Sequence, residues 1–275
     1  MKKLFALLLA CALLFSAAAA EDVRLDGSLG RLYGFLQLPA ADGPAPLVIL
    51  CHGFGGSLVG LLDYAAFFAS NGVAAFAPDF CGGGLLSRSE GKMTDMSVLT
   101  EAADLNAVID LFAGDPRFTD IFLMGESQGG FVASYVAAQR PGDVKALILE
   151  YPAYVLVDDA KRRRLPDGTF PETGRLLGMT IGRGYSEALA GMDIYAHIAA
   201  YDGSVLILHG DSDPLVPLSY SERARKAFPH AVLTVLEGQG HGFRGAGRRS
   251  AMEAELSFIL ENLSAAPGAE NASPD

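Results

Sequence analysis

A short apolar run, residues 122–124, leads directly into the pattern Gly-x-Ser-x-Gly over residues 125–129, and a helix-forming stretch follows it. This arrangement predicts a chain that turns sharply from a strand into a helix and pushes Ser127 out above the end of the strand. The glycines on either side of the serine leave room for the close backbone approach. Because such a pattern also arises by chance, its meaning depends on the rest of the chain.

Strand-like and helix-like segments alternate along the chain. Residues 23–38 alternate apolar and polar side chains around an Asp-Gly pair, which is typical of an antiparallel hairpin. Further strands are predicted at 47–50, 73–77, 121–124, 144–149, 205–208 and 232–236, and helices at 61–70, 98–112, 130–139, 220–228 and 248–263. This alternation predicts an α/β fold, with a mainly parallel sheet and helices on both of its faces.

Three segments fall outside this alternation. Residues 1–20 have a basic start, an apolar run and a small-residue exit, which predict a signal peptide before a domain over residues 21–263. Residues 151–200 follow the sixth strand and show no β period, so we expect a functional insertion over the carboxyl edge of the sheet. Residues 264–275 are expected to be a frayed tail.

The predicted signal peptide implies export to the periplasm or out of the cell, with lipidation at Cys11 as a lesser alternative. Cys51 and Cys81 fall at or just after the ends of two successive strands. In an oxidising compartment they could form a disulfide, and two buried thiols are the equal alternative.

The composition restricts the kind of partner. The formal net charge of −11 disfavours nucleic acid and anionic membranes, because such a surface repels both. We therefore expect a small-molecule substrate, no nucleic-acid partner and no stable membrane attachment.

Two other strand ends carry side chains that could activate Ser127. Asp213 follows the predicted strand 205–208, and His241 follows the strand 232–236. Carboxyl ends of parallel strands meet at one edge of a sheet, so these side chains are expected near the serine. A serine hydroxyl needs a base, and the base needs an orienting carboxylate. Asp211 competes with Asp213 for this last position but is less favoured by the spacing.

An attacked carbonyl also needs hydrogen-bond donors for the oxyanion that develops on it. The backbone N–H groups of Phe54, in the loop after strand 47–50, and of Gln128, at the start of its helix, are the candidates. His52 and His209 each precede a glycine at a strand end, and both are interpreted as supporting residues.

No cofactor is expected. Residues 240–245 match Gly-x-Gly-x-x-Gly, but only one helix follows, whereas a dinucleotide site needs further strands and an acidic residue at the end of the next one. No Cys/His spacing indicates a metal site.

Four motifs together resemble the α/β-hydrolases, and within them the cinnamoyl or feruloyl esterase group. They are His-Gly-Phe at 52–54, Gly-x-Ser-Gln-Gly-Gly at 125–130, His-Gly-x-x-Asp-x-x-Val-Pro at 209–217 and Gly-His-Gly-Phe at 240–243. The resemblance implies a serine esterase that carries a lid within residues 151–200. In that group a lid Asp and Tyr contact the phenolic end of the substrate, and the matching positions here are Asp159 and Tyr185. Glu126 replaces the His that is usual beside the nucleophile.

The sequence and its resemblance lead us to expect an exported serine carboxylesterase that works through an acyl-enzyme, on hydroxycinnamoyl esters such as feruloylated sugars. One alternative is a serine peptidase of the prolyl-oligopeptidase type, which would usually need an extra domain. Another is a lipase-like esterase, whose lid should be apolar rather than carry the basic run 161–164. A binding protein on a hydrolase scaffold is disfavoured by the complete triad.

Overall fold

Ten strands and eight α-helices lie within residues 19–264, the part of the chain that the computed structural model describes. The strands are β1 (Ala20–Gly27), β2 (Gly30–Gln37), β3 (Ala45–Cys51), β4 (Ala74–Asp79), β5 (Phe118–Glu126), β6 (Ala146–Glu150), β7 (Thr173–Leu176), β8 (Met179–Gly182), β9 (Ser204–Gly210) and β10 (Ala231–Leu236). The helices are α1 (Leu62–Ser70), α2 (Val98–Phe112), α3 (Gln128–Gln139), α4 (Val155–Arg162), α5 (Arg183–Ala190), α6 (Ile194–Ile198), α7 (Ser219–Ala227) and α8 (Gly245–Glu261).

Eight of these strands form one sheet in the order β1-β2-β4-β3-β5-β6-β9-β10. The first three in this order pair antiparallel, and all the other pairs are parallel. The α/β fold with a mainly parallel sheet is therefore confirmed. β5 lies in the middle of the sheet, so the residues that follow it emerge between the ends of β3 and β6.

The sheet is covered on both faces because its central strands are apolar on both sides. In β3, Leu47 and Ile49 belong to the apolar cluster that includes the buried residues of α2 and α3. Val48 and Leu50, which point the other way, belong to the cluster that includes α1 and α8. A strand buried on both faces reads as a continuous apolar run, which is what the sequence shows.

The insertion after β6 is ordered rather than structureless. It contains α4, the hairpin of β7 and β8, α5 and α6, and this hairpin pairs separately from the main sheet. Tyr185, Leu189 and Ile194 bury their side chains in the same cluster as α2 and α3. The insertion is thus packed onto the domain through its own apolar residues.

The predicted signal peptide 1–20 and tail 264–275 lie almost wholly outside the described residues, and Cys11 lies outside them as well. Of these segments only Ala19, Ala20 and Ser264 are described, and Ala20 pairs with Gln37 at the start of β1. Within residues 19–264, no helix has the length and apolar character that crossing a membrane requires.

Cys51 and Cys81 are free thiols, and both are buried. Burial raises the pKa of the Cys81 thiol to about 12, and burial raises that of Cys51 further still. Both therefore pack as small apolar side chains, which is one of the two alternatives that the sequence left open.

Candidate active site

Ser127 lies on a strained turn between β5 and α3. Its φ of +54° is in the left-handed region that residues other than glycine rarely adopt. The turn is possible only with glycines around it: a Cβ on Gly129 would lie 2.1 Å from the Cys51 carbonyl oxygen, and one on Gly125 would lie 2.4 Å from that of Gly129. The Ser127 N–H donates to the Glu150 carbonyl (2.9 Å), which ties the turn to β6.

The structure brings Ser127, His241 and Asp213 together at the carboxyl edge of the sheet. The Ser127 hydroxyl oxygen lies 2.9 Å from Nε2 of His241. On the other side of the ring, Nδ1 of His241 lies 2.8 Å from Oδ2 of Asp213. The serine can therefore donate to the imidazole, and the imidazole to the carboxylate, which is the geometry of a nucleophile, a base and its orienting group.

The Asp213 carboxylate is held as an anion. Its side chain is fully buried, and Oδ1 accepts hydrogen bonds from the N–H groups of Leu215 (2.8 Å) and Val216 (2.9 Å). Burial by itself would raise the pKa of Asp213. Hydrogen bonds from His209 and His241 and from the backbone outweigh burial and hold that pKa well below its ordinary value.

Asp211, the competing carboxylate, has another role. Its Oδ1 accepts from the Gly238 N–H (2.7 Å), so it connects the loop after β9 to the loop that carries His241. The structure therefore places Asp213, and not Asp211, against the imidazole.

His209 and His52 are both buried and both support a loop. Nδ1 of His209 accepts from the Ser221 hydroxyl (2.7 Å), and its Nε2 donates to the Val216 carbonyl (2.9 Å). Nε2 of His52 accepts from the Phe80 N–H (3.1 Å), so its Nδ1 carries the proton and donates to the Gly53 carbonyl (2.9 Å). Burial lowers the pKa of His52, which keeps this ring neutral.

The two predicted oxyanion donors are held by the backbone around them. The Gly53 carbonyl accepts from His52 and from the Gly56 N–H (3.0 Å), and because a trans peptide is planar, the Phe54 N–H must point the opposite way. Gln128 is the first residue of α3, where N–H groups lack partners within the helix. Both N–H groups thus belong to rigid segments beside Ser127.

Glu126, directly before Ser127, joins three parts of the site. Its Oε1 accepts from the Gly53 N–H (3.3 Å), and its Oε2 accepts from the Tyr151 hydroxyl (3.2 Å). The Tyr151 ring lies 4.7 Å from the His241 ring, measured between centroids. A carboxylate therefore lies in the same cavity as the serine and the imidazole.

Two cavities meet at Ser127 and share Phe54, Leu177 and His241. The first, of about 190 Å³, is lined by glycines of the 53–56 loop, Glu126 and Tyr151, and we call it the carboxylate cavity. The second, of about 120 Å³, we call the apolar cavity. Its lining includes Val155, Leu156, Leu176, Leu215, Val216 and Asp159.

The two predicted substrate-contacting residues differ in position. Asp159 lines the apolar cavity and forms an ion pair with Arg162. Tyr185 is fully buried behind Phe54, with 5.8 Å between the ring centroids, and its hydroxyl donates to Oε1 of Gln128 (2.5 Å). A direct contact of Tyr185 with substrate does not fit this geometry. The Phe54 ring covers the tyrosine ring, and the Gln128 amide occupies its hydroxyl.

A larger cavity, of about 540 Å³, lies at the opposite edge of the sheet. It is lined by the start of β5, the segment before β6 and the end of α2, and no member of the triad reaches it. Size alone therefore does not locate the chemistry. Among residues 19–264, no group of His, Cys, Asp and Glu side chains is arranged to hold a metal ion.

Sequence motifs do not indicate the role of the acidic residues around Ser127. Glu126 appears there only as a departure from the usual His, and Glu101, Glu150 and Glu255, all fully buried, belong to none of the four motifs. A signal was present: Glu150 ends an apolar strand, directly beside Glu126 in the register of β5 and β6. Burying a carboxylate at a strand end is costly unless it has a hydrogen-bond partner, so such a position predicts a partner nearby.

Comparison with families of known proteins gives two matches. A family model described as "Serine aminopeptidase, S33" matches residues 42–167, and one described as "TAP-like protein" matches residues 194–269. The gap between the two matches contains most of the insertion. Among curated proteins, a monoacylglycerol lipase of Mycolicibacterium smegmatis is 26% identical over 256 residues, with 80% of this chain and 90% of the relative covered.

Solved structures give the same architecture. Est1E of Butyrivibrio proteoclasticus, in a structure with ferulic acid bound, superimposes with a TM-score of 0.79 at 26% identity, covering 87% of this chain and 98% of that one. DcsB, in complex with an analogue of its substrate, superimposes with a TM-score of 0.72 at 23% identity, covering 89% and 100%. The second likeness concerns the fold alone.

Proposed function

We propose that this chain, which belongs to the α/β-hydrolase superfamily and is an esterase- or lipase-like hydrolase, is a serine carboxylesterase. It would cleave carboxylic esters through an acyl-enzyme on Ser127, with hydroxycinnamoyl esters as its preferred substrates. The observation that carries the proposal is the continuous hydrogen-bonded chain from Ser127 through His241 to the buried Asp213.

In the first half of this reaction, Oγ of Ser127 attacks the acyl carbon while Nε2 of His241 takes the hydroxyl proton. Asp213 stabilises the resulting imidazolium and keeps the ring oriented. The N–H groups of Phe54 and Gln128 would bind the oxyanion of the tetrahedral intermediate. When this intermediate collapses, the C–O bond to the alcohol breaks, and His241 returns the proton to the departing alkoxide oxygen.

In the second half, a water molecule takes the place of the alcohol. His241 removes a proton from the water, and the resulting hydroxide oxygen attacks the acyl carbon. The C–O bond to Ser127 then breaks, and the imidazolium returns the proton to Oγ. The products are the free acid and the free alcohol, and the enzyme is regenerated without any cofactor.

The apolar cavity supports the proposed acyl specificity. Its aliphatic walls, including Val155, Leu176 and Leu215, suit a flat aromatic acyl group, and the Asp159 carboxylate provides an acceptor for a phenolic hydroxyl. The likeness to Est1E, solved with ferulic acid bound, is further support. Tyr185 contributes by holding the Gln128 side chain and Phe54 rather than by touching the substrate.

A lipase-like esterase with an aliphatic acyl substrate is the second candidate. The same aliphatic walls and the likeness to a monoacylglycerol lipase favour it. A comparison of methyl ferulate, a short-chain p-nitrophenyl ester, a monoacylglycerol and an aminoacyl amide separates the candidates. Preference for the aliphatic esters would overturn the aromatic specificity but keep the esterase, whereas turnover of the amide alone would indicate a peptidase.

The nucleophile is tested by Ser127→Ala. We expect kcat to fall by about 10⁴-fold or more for every ester, because triad members act as a unit. Far-UV circular dichroism checks that the variant is folded. Turnover within tenfold of the unsubstituted enzyme would exclude the proposed mechanism.

Asp159 is tested by comparing methyl ferulate with methyl cinnamate, which lacks the phenolic hydroxyl. Asp159→Asn should lower kcat/KM for the ferulate by about tenfold, since it removes a charged hydrogen-bond acceptor, and leave the cinnamate nearly unchanged. Asp158→Asn is the matched control, because Asp158 bonds the Tyr220 hydroxyl instead. Equal losses on both esters would argue against phenol recognition by Asp159.

We also propose that residues 1–20 are removed during export. Their basic start, apolar run and small-residue exit support this. N-terminal sequencing of protein recovered after expression in a host that exports it tests the proposal. We expect the mature chain to begin at Glu21. A protein that stays in the cytoplasm and keeps residues 1–20 would contradict the proposal.

A further inference from the structure

The carboxylate cavity contains a charged group that the proposed reaction does not use. Glu126 is covalently next to the nucleophile and lines the cavity with Ser127 and His241. Each of its two oxygens accepts one hydrogen bond from the protein, from the Gly53 N–H and from the Tyr151 hydroxyl. An ionised carboxylate can accept about four. Acceptor capacity therefore remains on a group that borders the reacting atoms.

The protein holds this carboxylate in place at a conformational cost. Tyr151, which donates to Glu126, has a φ of +37°, a left-handed value that is strained for a residue with a bulky side chain. Its ring packs between His241 and Phe243, with centroid distances of 4.7 and 4.9 Å. Strain of this kind persists only where the surroundings impose it, and it concentrates at functional sites.

The lining also restricts which chemical groups the cavity can accept. It contains Glu126 but no Lys or Arg side chain, and most of its remaining walls are glycine, aromatic or aliphatic. A negatively charged group would be repelled by the carboxylate without compensation. A neutral hydroxyl would instead donate a charge-assisted hydrogen bond, about twice as strong as one between neutral groups.

The two cavities at Ser127 can be matched to the two halves of an ester. An aromatic or aliphatic acyl group suits the apolar cavity, which leaves the carboxylate cavity for the alcohol. Because Glu126 and Ser127 line the same cavity of about 190 Å³, we expect a hydroxyl that reaches the carboxylate to lie on a carbon close to the ester oxygen.

We propose that Glu126 is a specificity-determining residue that accepts a hydrogen bond from a second hydroxyl of the leaving alcohol, so that the preferred substrates are esters of alcohols with a neighbouring hydroxyl group. Glycerol and sugar esters share this chemistry. The inference rests on the proposed esterase function and adds the residue that recognises the alcohol. Tyr151 is the positioning residue that orients the carboxylate.

A pair of esters with the same acyl group isolates the effect: ethyl ferulate and 2-hydroxyethyl ferulate. Since both form the same acyl-enzyme, the ratio of their kcat/KM values reports only the acylation step in which the alcohol is bound. The unsubstituted enzyme should prefer the hydroxyethyl ester by about tenfold or more, as expected for a hydrogen bond to a charged group. A third ester, choline ferulate, tests whether the cavity selects a cation instead.

Glu126→Gln and Glu126→Ala should both lower the preference, and the alanine variant should bring it to within about twofold of unity. The ratio is informative even if these variants lose activity through the Gly53 loop, because such a loss affects both esters equally. Tyr151→Phe should lower the preference partially. The control Glu253→Gln, at an exposed position of α8, should leave the ratio unchanged.

The outcomes distinguish this inference from the proposed function. Equal rates on the two esters, an unchanged ratio in Glu126→Ala, or a preference for choline ferulate that Glu126→Gln removes would each overturn the role of Glu126, while ester hydrolysis by Ser127 would stand. Equal hydrolysis by Ser127→Ala and the unsubstituted enzyme would overturn the serine mechanism, and the alcohol inference with it.

Discussion

The two residues that flank Ser127 each connect to buried acidic side chains, but in different ways. On one side, Gln128 donates from Nε2 to Oε2 of Glu101 (2.8 Å) and accepts from Tyr185. On the other side, Glu126 lies beside Glu150 in the sheet, and the Glu150 carboxyl faces that of Glu255 on α8. We call these the amide side and the acid-pair side.

The two sides differ in which group donates a hydrogen bond to the buried carboxyl. Glu101 has an amide donor, and this hydrogen bond lowers its pKa although burial raises it to about 8. Glu150 and Glu255 are both fully buried, and ionising both would place two like charges together away from water, so we expect one of them to remain protonated. Burial raises the pKa of Glu150 to about 7 and that of Glu255 well above its ordinary value.

The two sides show two ways of satisfying a buried carboxyl group. A buried carboxyl group near Ser127 must be satisfied without water, either by a fixed amide donor or by keeping its proton. The amide side also titrates, because burial raises the pKa of Glu101 to about 8 in spite of its amide donor. On the acid-pair side the pH-sensitive groups are two neighbouring carboxyls, Glu150 and Glu255, and this is the side that also carries Tyr151 and Glu126.

The largest expected effect comes from breaking the amide side with Gln128→Leu. The change leaves the Glu101 carboxyl and the Tyr185 hydroxyl without their partner, at about 1–3 kcal/mol for each buried group. We expect the free energy of unfolding to fall by about 2–5 kcal/mol. Denaturant titration followed by far-UV circular dichroism measures it, since the chain has no tryptophan. Gln139→Leu, at the exposed end of the same helix, is the control, and a loss below about 1 kcal/mol would contradict the prediction.

The second prediction concerns pH and the acid-pair side. The folded-state pKa of Glu150, about 7, lies above its ordinary value of 4.5. The native state therefore holds a proton that the unfolded chain has released, and the stabilisation, complete below pH 4.5, is lost as the pH rises towards 7. The slope is at most about 1.4 kcal/mol per pH unit for each proton.

Glu255→Gln should convert the acid-pair side into a second amide side. The change removes one of two carboxyl groups whose pKa burial raises, so the native state holds one proton fewer and the fall in unfolding free energy between pH 5 and about 7 should become shallower. Denaturation at several pH values measures the slope. Glu253→Gln, two residues away and exposed, should keep the original slope. An equal slope in Glu255→Gln would show that the pair does not share a proton.

The smallest effect is expected from removing one hydroxyl on each side. Tyr185→Phe and Tyr151→Phe should each lower the free energy of unfolding by about 1 kcal/mol, the usual net contribution of one hydrogen bond. Their effects on catalysis should differ, because of the two tyrosine hydroxyls only that of Tyr151 donates to Glu126. We expect Tyr151→Phe to change the preference between hydroxyethyl and ethyl esters and Tyr185→Phe to leave it unchanged. A similar change in both would remove the distinction between the two sides.

Local patterns predicted the strands of the main sheet and the helices that cover it, usually with their ends correct to within a few residues. The helix predicted at 98–112 is α2 (Val98–Phe112), and the hairpin predicted at 23–38 is β1 and β2. The insertion was different, since nothing in its sequence predicted the hairpin of β7 and β8. That hairpin is short and half-exposed, so it has too few alternating residues to produce a period.

The site was predictable where it depends on strand ends. Ser127, Asp213 and His241 each follow an apolar run, and parallel strands bring such positions to one edge. The place of Tyr185 was not predictable, because the match to a family position says nothing about which side of Phe54 its ring packs against. The contact of Glu150 with Glu255 joins residues far apart in the sequence, on a strand and on the last helix.

The order of apolar runs and turn residues was sufficient by itself to determine the sheet, its connections and the edge at which polar residues gather. Those properties follow from local periodicity and from the direction of parallel strands. Only the tertiary structure decided which carboxylate meets His241, which tyrosine lines the cavity and which buried carboxyl groups lie together. These depend on distances of a few ångströms between segments distant in the chain, and packing of the whole domain determines such distances.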